Sequence, residues 1–546
     1  MEPKNKRRLQ VWVPLLFALV MVIGMSLGFK LRDTLRNKKD FITIIQRNDD
    51  IQEIIDLVNS KYVDTVNNDK IHEDAIQGIL DHLDPHSSYI PASELQSVNE
   101  DLEGKFEGVG IEFSIINDTV NVTSVLAGGP SEGVGLLTGD KIVKVDDSVV
   151  AGVKITNDRI IGKLRGHKGE KVKIGIKRSG KPALVDFVIA RDVIPIYSVD
   201  ASYMIRPEVG YIKVNRFSAT THREFMQSID KLNEDGMKKL VLDLRQNPGG
   251  FMDAATKMLD EFIDGNKLLV YTKGRKFPKT EYKCKRPGVF ETGEMVVLID
   301  EGSASASEIV AGAIQDWDRG TLIGRRSYGK GLVQEQYDLP DGAALRLTVA
   351  RYYTPSGRSI QRPYDKGKDE YQDDIYKRYH DGELVNGDSS AIFNDSTKYY
   401  TANHRVVYGG GGISPDIFVP LDTGRYSPTL VKFLSEGLLN TFVYQYFAGN
   451  RASFEAYKQL DDFKKSYIVQ QTLLDGLKQF AGKENSALVF PASASDVKEL
   501  QLRIKSLFAR QLFRSTGYYA VVNESDPVII KALQVLKVNG AIAPKK

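Results

Sequence analysis

The chain divides into stretches whose apolar positions recur with different periods. The first is continuous: Val11 to Phe29 carry no charge over 19 residues and follow Lys4, Lys6, Arg7 and Arg8. At about 1.5 Å of rise per residue, such a run nearly spans a hydrocarbon core of roughly 30 Å. It is long for the apolar part of a cleaved signal, no A-x-A site follows it, and no cysteine near Ser26 offers lipid attachment. The pattern predicts a short cytoplasmic tail at 1–10, a transmembrane anchor at 11–29, and the remainder of the chain outside the cytoplasm.

Between 40 and 95 the period is helical, with Ile44, Ile51, Ile54, Ile55 and Val58 on one face and a second helix closing before Pro85. From 101 to 192 short alternating runs replace it. Ile111, Phe113 and Ile115 precede an Asn117-Asp118 turn, and Val120, Val122 and Val125 and then Val172, Ile174 and Ile176 read as further strands. From 195 to 421 strands alternate with helices. Strands are predicted at 211–214, 240–244, 296–299, 321–323 and 345–349, and helices at 221–232, 252–263 and 305–317. Near-continuous apolar strands separated by helices imply a mostly parallel, buried sheet. The polar run from Arg362 to Asn403 reads as an insertion on the surface. From 422 to 546 the pattern is helical again, with Leu430, Phe433, Leu434 and Leu438 on one face.

Composition changes this picture little. A chain of 546 residues allows roughly three to four domains. Its 74 basic and 71 acidic residues leave a net charge of +3, which argues against a general nucleic-acid binder. One cysteine, Cys284, excludes an internal disulfide framework and any cysteine-rich metal site.

Candidate chemistry concentrates in three segments. Val297-Leu-Ile-Asp-Glu-Gly-Ser-Ala-Ser-Ala-Ser-Glu308 reads as strand, glycine turn and helix start, where an exposed serine would meet backbone amides and the positive end of the helix dipole. Ser305-x-x-Glu308 is equally a capping box, which needs no function. A serine nucleophile needs a base, and all seven histidines lie outside the 301–334 region. The nearby alternative is Lys330, set between Gly329 and Gly331. Lysine serves as a base only when burial lowers a pKa that is ordinarily about 10.4. Gly324 to Lys330 also fits the first seven positions of a P-loop, but Gly331 replaces its hydroxyl residue and a strand-like run follows instead of a helix. Asp243-Leu-Arg-Gln-Asn-Pro-Gly-Gly250 ends a buried strand. Its Gly-Gly pair makes either a tight turn or a source of free amides at the sheet's carboxyl edge.

In this order, with Asp84-Pro-His-Ser-Ser-Tyr89 upstream, Ser327-Tyr-Gly-Lys-Gly-x-Val-Gln334 and Gly412-Ile-x-Pro-Asp416, these segments resemble the carboxyl-terminal processing, or tail-specific, serine peptidases over roughly residues 45–420. The resemblance implies Ser305 as nucleophile, Lys330 as base 25 residues later, Gln334 orienting the lysine, and the Gly250 and Ala306 amides as oxyanion hole. It implies no metal and no cofactor. The 101–192 segment resembles a PDZ domain, with Gly108, Val109, Gly110 and Ile111 as the loop that captures a peptide carboxylate and Leu136-Leu-Thr-Gly-Asp-Lys-Ile142 as its second landmark. Arg165 is similar to an arginine through which some PDZ domains of the family communicate with the catalytic site; a solvated basic turn fits the residue equally well.

The expectation is therefore a multidomain α+β protein. It comprises a PDZ β-sandwich, a crotonase-like α/β serine peptidase core, and helical N- and C-terminal regions. It would sit in a bacterial inner membrane with its catalytic part in the periplasm, cut proteins near a free C-terminus, and work as a homo-oligomer or with an accessory adaptor. The rival from another class is a catalytically silent PDZ scaffold of the cell envelope.

Overall fold

A computed structural model describes residues 50–126, 128–387 and 397–538, with Ala18, Val20, Met21, Val22, Gly24 and Met25. The chain forms two compact units, Met1–Leu83 and Asp84–Lys546. In the first, residues 50–61 and Asn68–Leu80 are helical, the latter capped by the Asn67 side chain accepting from Lys70 N. The anchor expected at 11–29 lies outside the described residues apart from the six positions just named, which are helical. Among the described residues no helix is long and apolar enough to cross a membrane.

The second unit is built on a six-stranded sheet. Val199–Arg206 pairs antiparallel with Val209–Val214, and Lys239–Asp243, Glu294–Ile299, Thr321–Gly324 and Ile417–Phe418 follow in parallel. Because side chains alternate across a strand, the continuous apolar runs supply both faces. Ile212, Leu240, Leu242, Val297 and Ile299 face the helices Thr221–Glu234, Met252–Leu259 and Ala306–Asp316. Tyr211, Val241, Val296, Leu298 and Ile323 face the helix Pro527–Val535 through Val528, Ile529, Ala532 and Leu533. The helix expected to reach Ile263 stops at Leu259. Beyond it the Asp260 carboxylate accepts Lys285 N and the Glu261 carboxylate pairs with His222, so the chain turns.

Ala344–Tyr353 does not join the parallel sheet. It centres a second, antiparallel sheet with Ser88–Ile90, Leu268–Lys273 and Leu332–Asp338, and Thr280–Lys283 pairs with Leu268–Lys273. The loop before Leu332 joins this sheet to Thr321–Gly324 of the first, and in it Arg325 N donates to Ile299 O (3.1 Å).

Residues 105–195 form a separate β unit in which Ile111–Ile116, Thr119–Val125, Lys141–Val145, Lys171–Lys177 and Val185–Ala190 make the sheet. Lys105–Gly108 pairs with Asp192–Pro195 at its neck. The C-terminal helices, from Pro428–Ser435 to Ala494–Val522, have an aromatic core of Phe433, Phe447, Phe454, Phe463 and Phe508. They touch both neighbours. Tyr444 Oη donates to Val122 O (3.1 Å), Asn523 Nδ2 to Tyr203 Oη (2.9 Å), and Lys239 Nζ to Leu536 O (2.7 Å).

The insertion expected at 362–403 is exposed at most of its described positions but is anchored by a few buried residues. Lys368–Gln372, Asp374–His380 and Glu383–Asn386 are short helices that bury Arg362, Tyr371, Arg378 and Glu383. These charges are internal because they satisfy one another and nearby carbonyls. Residues 388–396 lie outside the described residues.

Candidate active site

Ser305 stands where Glu294–Ile299 turns into Ala306–Asp316, the strand–turn–helix that the small residues predict. The turn is stitched to the loop after Lys239–Asp243. Ala304 N and Ser307 Oγ both donate to Asn247 O (2.9 Å), and Ser303 Oγ donates to Leu244 O (2.8 Å). Held this way, Ser305 takes φ +52° and ψ −113°, a conformation side chains avoid and which costs on the order of 1–3 kcal/mol. Its N–H donates to Glu308 Oε2 (2.8 Å), the backward half of a capping box.

The Gly-Gly loop lies directly against this turn. A Cβ on Gly249 (φ +96°) would fall 2.7 Å from Ala304 O and 2.8 Å from Ala306 N; one on Gly250 (φ +139°) would fall 2.1 Å from Phe217 O. Only glycine lets the two segments approach so closely. Among the described residues neither the Gly250 nor the Ala306 amide donates to a protein acceptor. Two unsatisfied N–H groups beside a serine are what a developing oxyanion requires. Behind the loop Asp243 accepts from Arg245 and from Tyr211 Oη (2.9 Å). Burial alone would raise its carboxyl, but Arg245 and Lys213 hold it well below the usual carboxylate range.

Lys330 is half-buried and donates from Nζ to Gln334 Oε1 (3.1 Å). A bulge between Val333 and Gln334 interrupts the ladder with Ala344–Tyr353, the kind of irregularity that re-aims a side chain. Gln334 Nε2 in turn donates to His86 O. Among the described residues no carboxylate pairs directly with the ammonium. Burial, then the charge of Arg346, lowers the lysine's pKa, against the weaker pull of Asp84 and Glu308.

Three residues outside the expected set bring serine and lysine together. Glu308 is fully buried and takes four donors: Ser305 N and Lys330 N on Oε2, Ser327 Oγ (2.5 Å) and Gly329 N (2.7 Å) on Oε1. Burial pushes its carboxyl up to about 7 against the pull of those bonds. Tyr352 Oη contacts both Ser305 O (3.1 Å) and Lys330 O. His86 is remote in sequence but packs beside the lysine. Its ring bonds Tyr371 Oη (2.9 Å), and burial, then the Lys330 charge, lowers its pKa to about 4, so it stays neutral. The capping box contained the signal for Glu308, and the Asp84–Tyr89 segment contained His86 without marking its part; nothing in the sequence pattern pointed to Tyr352.

The glycine loop at 108–111 sits apart from this cluster. Ile111–Ile116 is an edge strand, free on its outer side for a further strand, and Asn157–Leu164 is the one substantial helix of that unit. Gly110 (φ +73°) turns the loop, and Ser131 donates to Val109 O from both N and Oγ. Arg165 pairs with Glu100 on the helix Ala92–Glu103, stacks over Phe106 (4.9 Å), and makes no contact with Ser305 or Lys330. The same helix meets the lysine's strand through Gln336 Nε2 and Asn99 Oδ1 (3.3 Å).

Comparison with known families matches residues 208–369 to peptidase family S41, 108–188 to the PDZ domain and 29–93 to the N-terminal domain of the activating protease CtpB. Residues 429–514 match a family of unknown function. The carboxy-terminal-processing protease of Bartonella bacilliformis is 38% identical over 57% of this chain and 71% of its own length. The carboxy-terminal processing protease CtpA of Bacillus subtilis is 32% identical over 65% and 76%. The chain belongs to the carboxy-terminal processing serine peptidases of family S41. A probable CtpA-like serine protease of Staphylococcus aureus is 35% identical over 57% of this peptidase and 62% of its own length. The peptidase is thus an enzyme with a PDZ domain rather than a silent scaffold.

Glu308 supplies the first test. Glu308→Gln turns one acceptor oxygen into a donor that faces two donors. Losing two bonds of about 1.5 kcal/mol each predicts a fall of roughly 10²-fold in kcat/KM, although serine and lysine remain. Steady-state cleavage of a peptide measures it, and activity within threefold of the parent would show the carboxylate to be dispensable.

Proposed function

We propose that the peptidase is a membrane-anchored Ser/Lys endopeptidase that cuts proteins near their C-termini, with the PDZ domain holding the substrate's tail. The observation that carries the catalytic part is Lys330 itself, half-buried, without a carboxylate partner among the described residues, and aimed by a neutral amide. Ser305 Oγ attacks the peptide carbonyl while the Lys330 amine takes its proton. The negative charge on the carbonyl oxygen falls to the Gly250 and Ala306 amides. The ammonium then protonates the leaving amine, and water hydrolyses the acyl-serine by the same route in reverse. Gln334 orients the amine without holding it charged. The PDZ loop Gly108-Val109-Gly110-Ile111 would receive the tail carboxylate, while the free edge of Ile111–Ile116 pairs with its backbone. We place the anchor at 11–29 and the catalytic unit outside the cytoplasm on the apolar run and its basic flank.

Because the base must be a free amine, activity is absent below the lysine's pKa and rises as pH climbs through it. Glu308 must be ionised to accept four donors, so its titration near 7 adds loss on the same acid side. The acid limb of kcat against pH should therefore be steeper than one ionisation allows. Lys330→Arg should lower kcat by roughly 10²–10⁴-fold, since guanidinium keeps its proton. Near-normal turnover in Lys330→Arg would send the search for the base elsewhere.

Tail capture makes a separate prediction. Amidating a bound peptide's C-terminus removes charge-assisted hydrogen bonds, so affinity should drop by roughly 1.5–3 kcal/mol. Equal affinity for free and amidated peptides in a titration would remove the carboxylate from recognition.

For the anchor, the expected result is a protein that sediments with membranes, keeps its original N-terminus, and is digested by protease added to spheroplasts. A soluble chain beginning near residue 27–30 would mean a cleaved signal instead.

A further inference from the structure

The segment after Gln361 is exposed along most of its length, yet its buried residues hold the loop that carries Lys330. Arg362 N donates to Gly329 O (3.0 Å), one residue before the lysine. The Arg362 guanidinium lies between two rings, 4.1 Å from the centroid of Tyr328 and 3.8 Å from that of Tyr371. Arg378 donates to Arg326 O (2.6 Å) and Ser327 O (3.1 Å). Glu383 accepts Arg326 through both oxygens (2.7 and 2.8 Å) and Arg378 through one. These groups are buried, so any one left unpartnered would be costly. A polar insertion with no task at the site would keep them in water.

A second line of contacts reaches the lysine from its other end. Tyr371 Oη bonds His86 Nε2, Asp84 Oδ1 accepts His86 N (2.9 Å), and His86 O receives Gln334 Nε2. His86 is thus held by its ring and its amide, which leaves its carbonyl one direction in which to point. That carbonyl fixes the amide plane of Gln334, whose opposite atom meets Lys330 Nζ.

We propose that segment 362–383 is a built-in brace for the catalytic lysine, with Tyr371 positioning it through His86 and Gln334, and Arg378 through the carbonyls of Arg326 and Ser327. The brace deepens the Ser/Lys reading and rests on it.

The decisive experiment is a double-mutant cycle on the full chain, with kcat and KM measured on one peptide substrate. Tyr371→Phe keeps the ring that stacks on Arg362 and loses only the hydroxyl, so the fold is retained. In the parent it should lower kcat roughly tenfold with KM unchanged, the size expected for one hydrogen bond. In a Gln334→Ala background the same substitution should cost less than about twofold, because the residue it acts through is gone. Equal losses in both backgrounds, or a loss carried by KM, would overturn the positioning role. Arg378→Lys keeps a charge beside Glu383 but cannot fork to two carbonyls, and should likewise lower kcat and leave KM. An Arg378→Lys enzyme with parental kcat would remove that arm. Near-normal turnover in Lys330→Arg would instead overturn the base assignment, a result separate from an additive cycle in an enzyme that still needs Lys330.

Discussion

A carboxylate shut away from water must be surrounded by donors, and whatever supplies those donors is drawn to it. Glu308 turns this constraint into architecture. Its two oxygens collect amides from the serine's turn and from the lysine's loop, which leaves the neighbouring parallel strand Thr321–Gly324 and runs to the second sheet. Tyr352, on a third element, repeats the link through the two carbonyls. The relative placement of Ser305 and Lys330 is set by these bonds more than by either residue. The strained backbone of Ser305 persists because the surroundings fix it from several sides.

What was legible in the sequence was what local chemistry dictates. Small residues around Ser305, glycines at 249–250 and a lysine between glycines each record a close approach of backbone, and apolar runs record buried parallel strands. Relations between distant segments left no such mark. Ala344–Tyr353 is half-buried along most of its length, so neither strict alternation nor a continuous apolar run announced it as the centre of a second sheet. The charged stretch after Gln361 is exposed at most positions, as Arg and Asp normally signal, but its pattern did not mark its buried anchors. Its arginines are buried against Glu383 and carbonyls that only the fold brings near. His86 escaped notice because its part depends on Tyr371, 285 residues away.

The C-terminal helices tie the two working parts of the enzyme to each other. Tyr444 reaches the PDZ strand that lies next to the edge strand, and Asp526 pairs with Arg245 at the root of the loop bearing Gly249 and Gly250. Tyr444 belongs to the 429–514 segment that matches a family of unknown function, and Asp526 follows it.

One face of the central sheet depends on the helix Pro527–Val535, which lies far along the chain from the strands it covers. Until it emerges from the ribosome, Val241, Val296, Leu298 and Ile323 have no cover on that side. An apolar parallel sheet left open on one face is prone to aggregate. It also cannot hold strand ends still enough for an oxyanion site. The nascent chain thus carries its serine and lysine for some 200 residues of translation before the sheet beneath them closes.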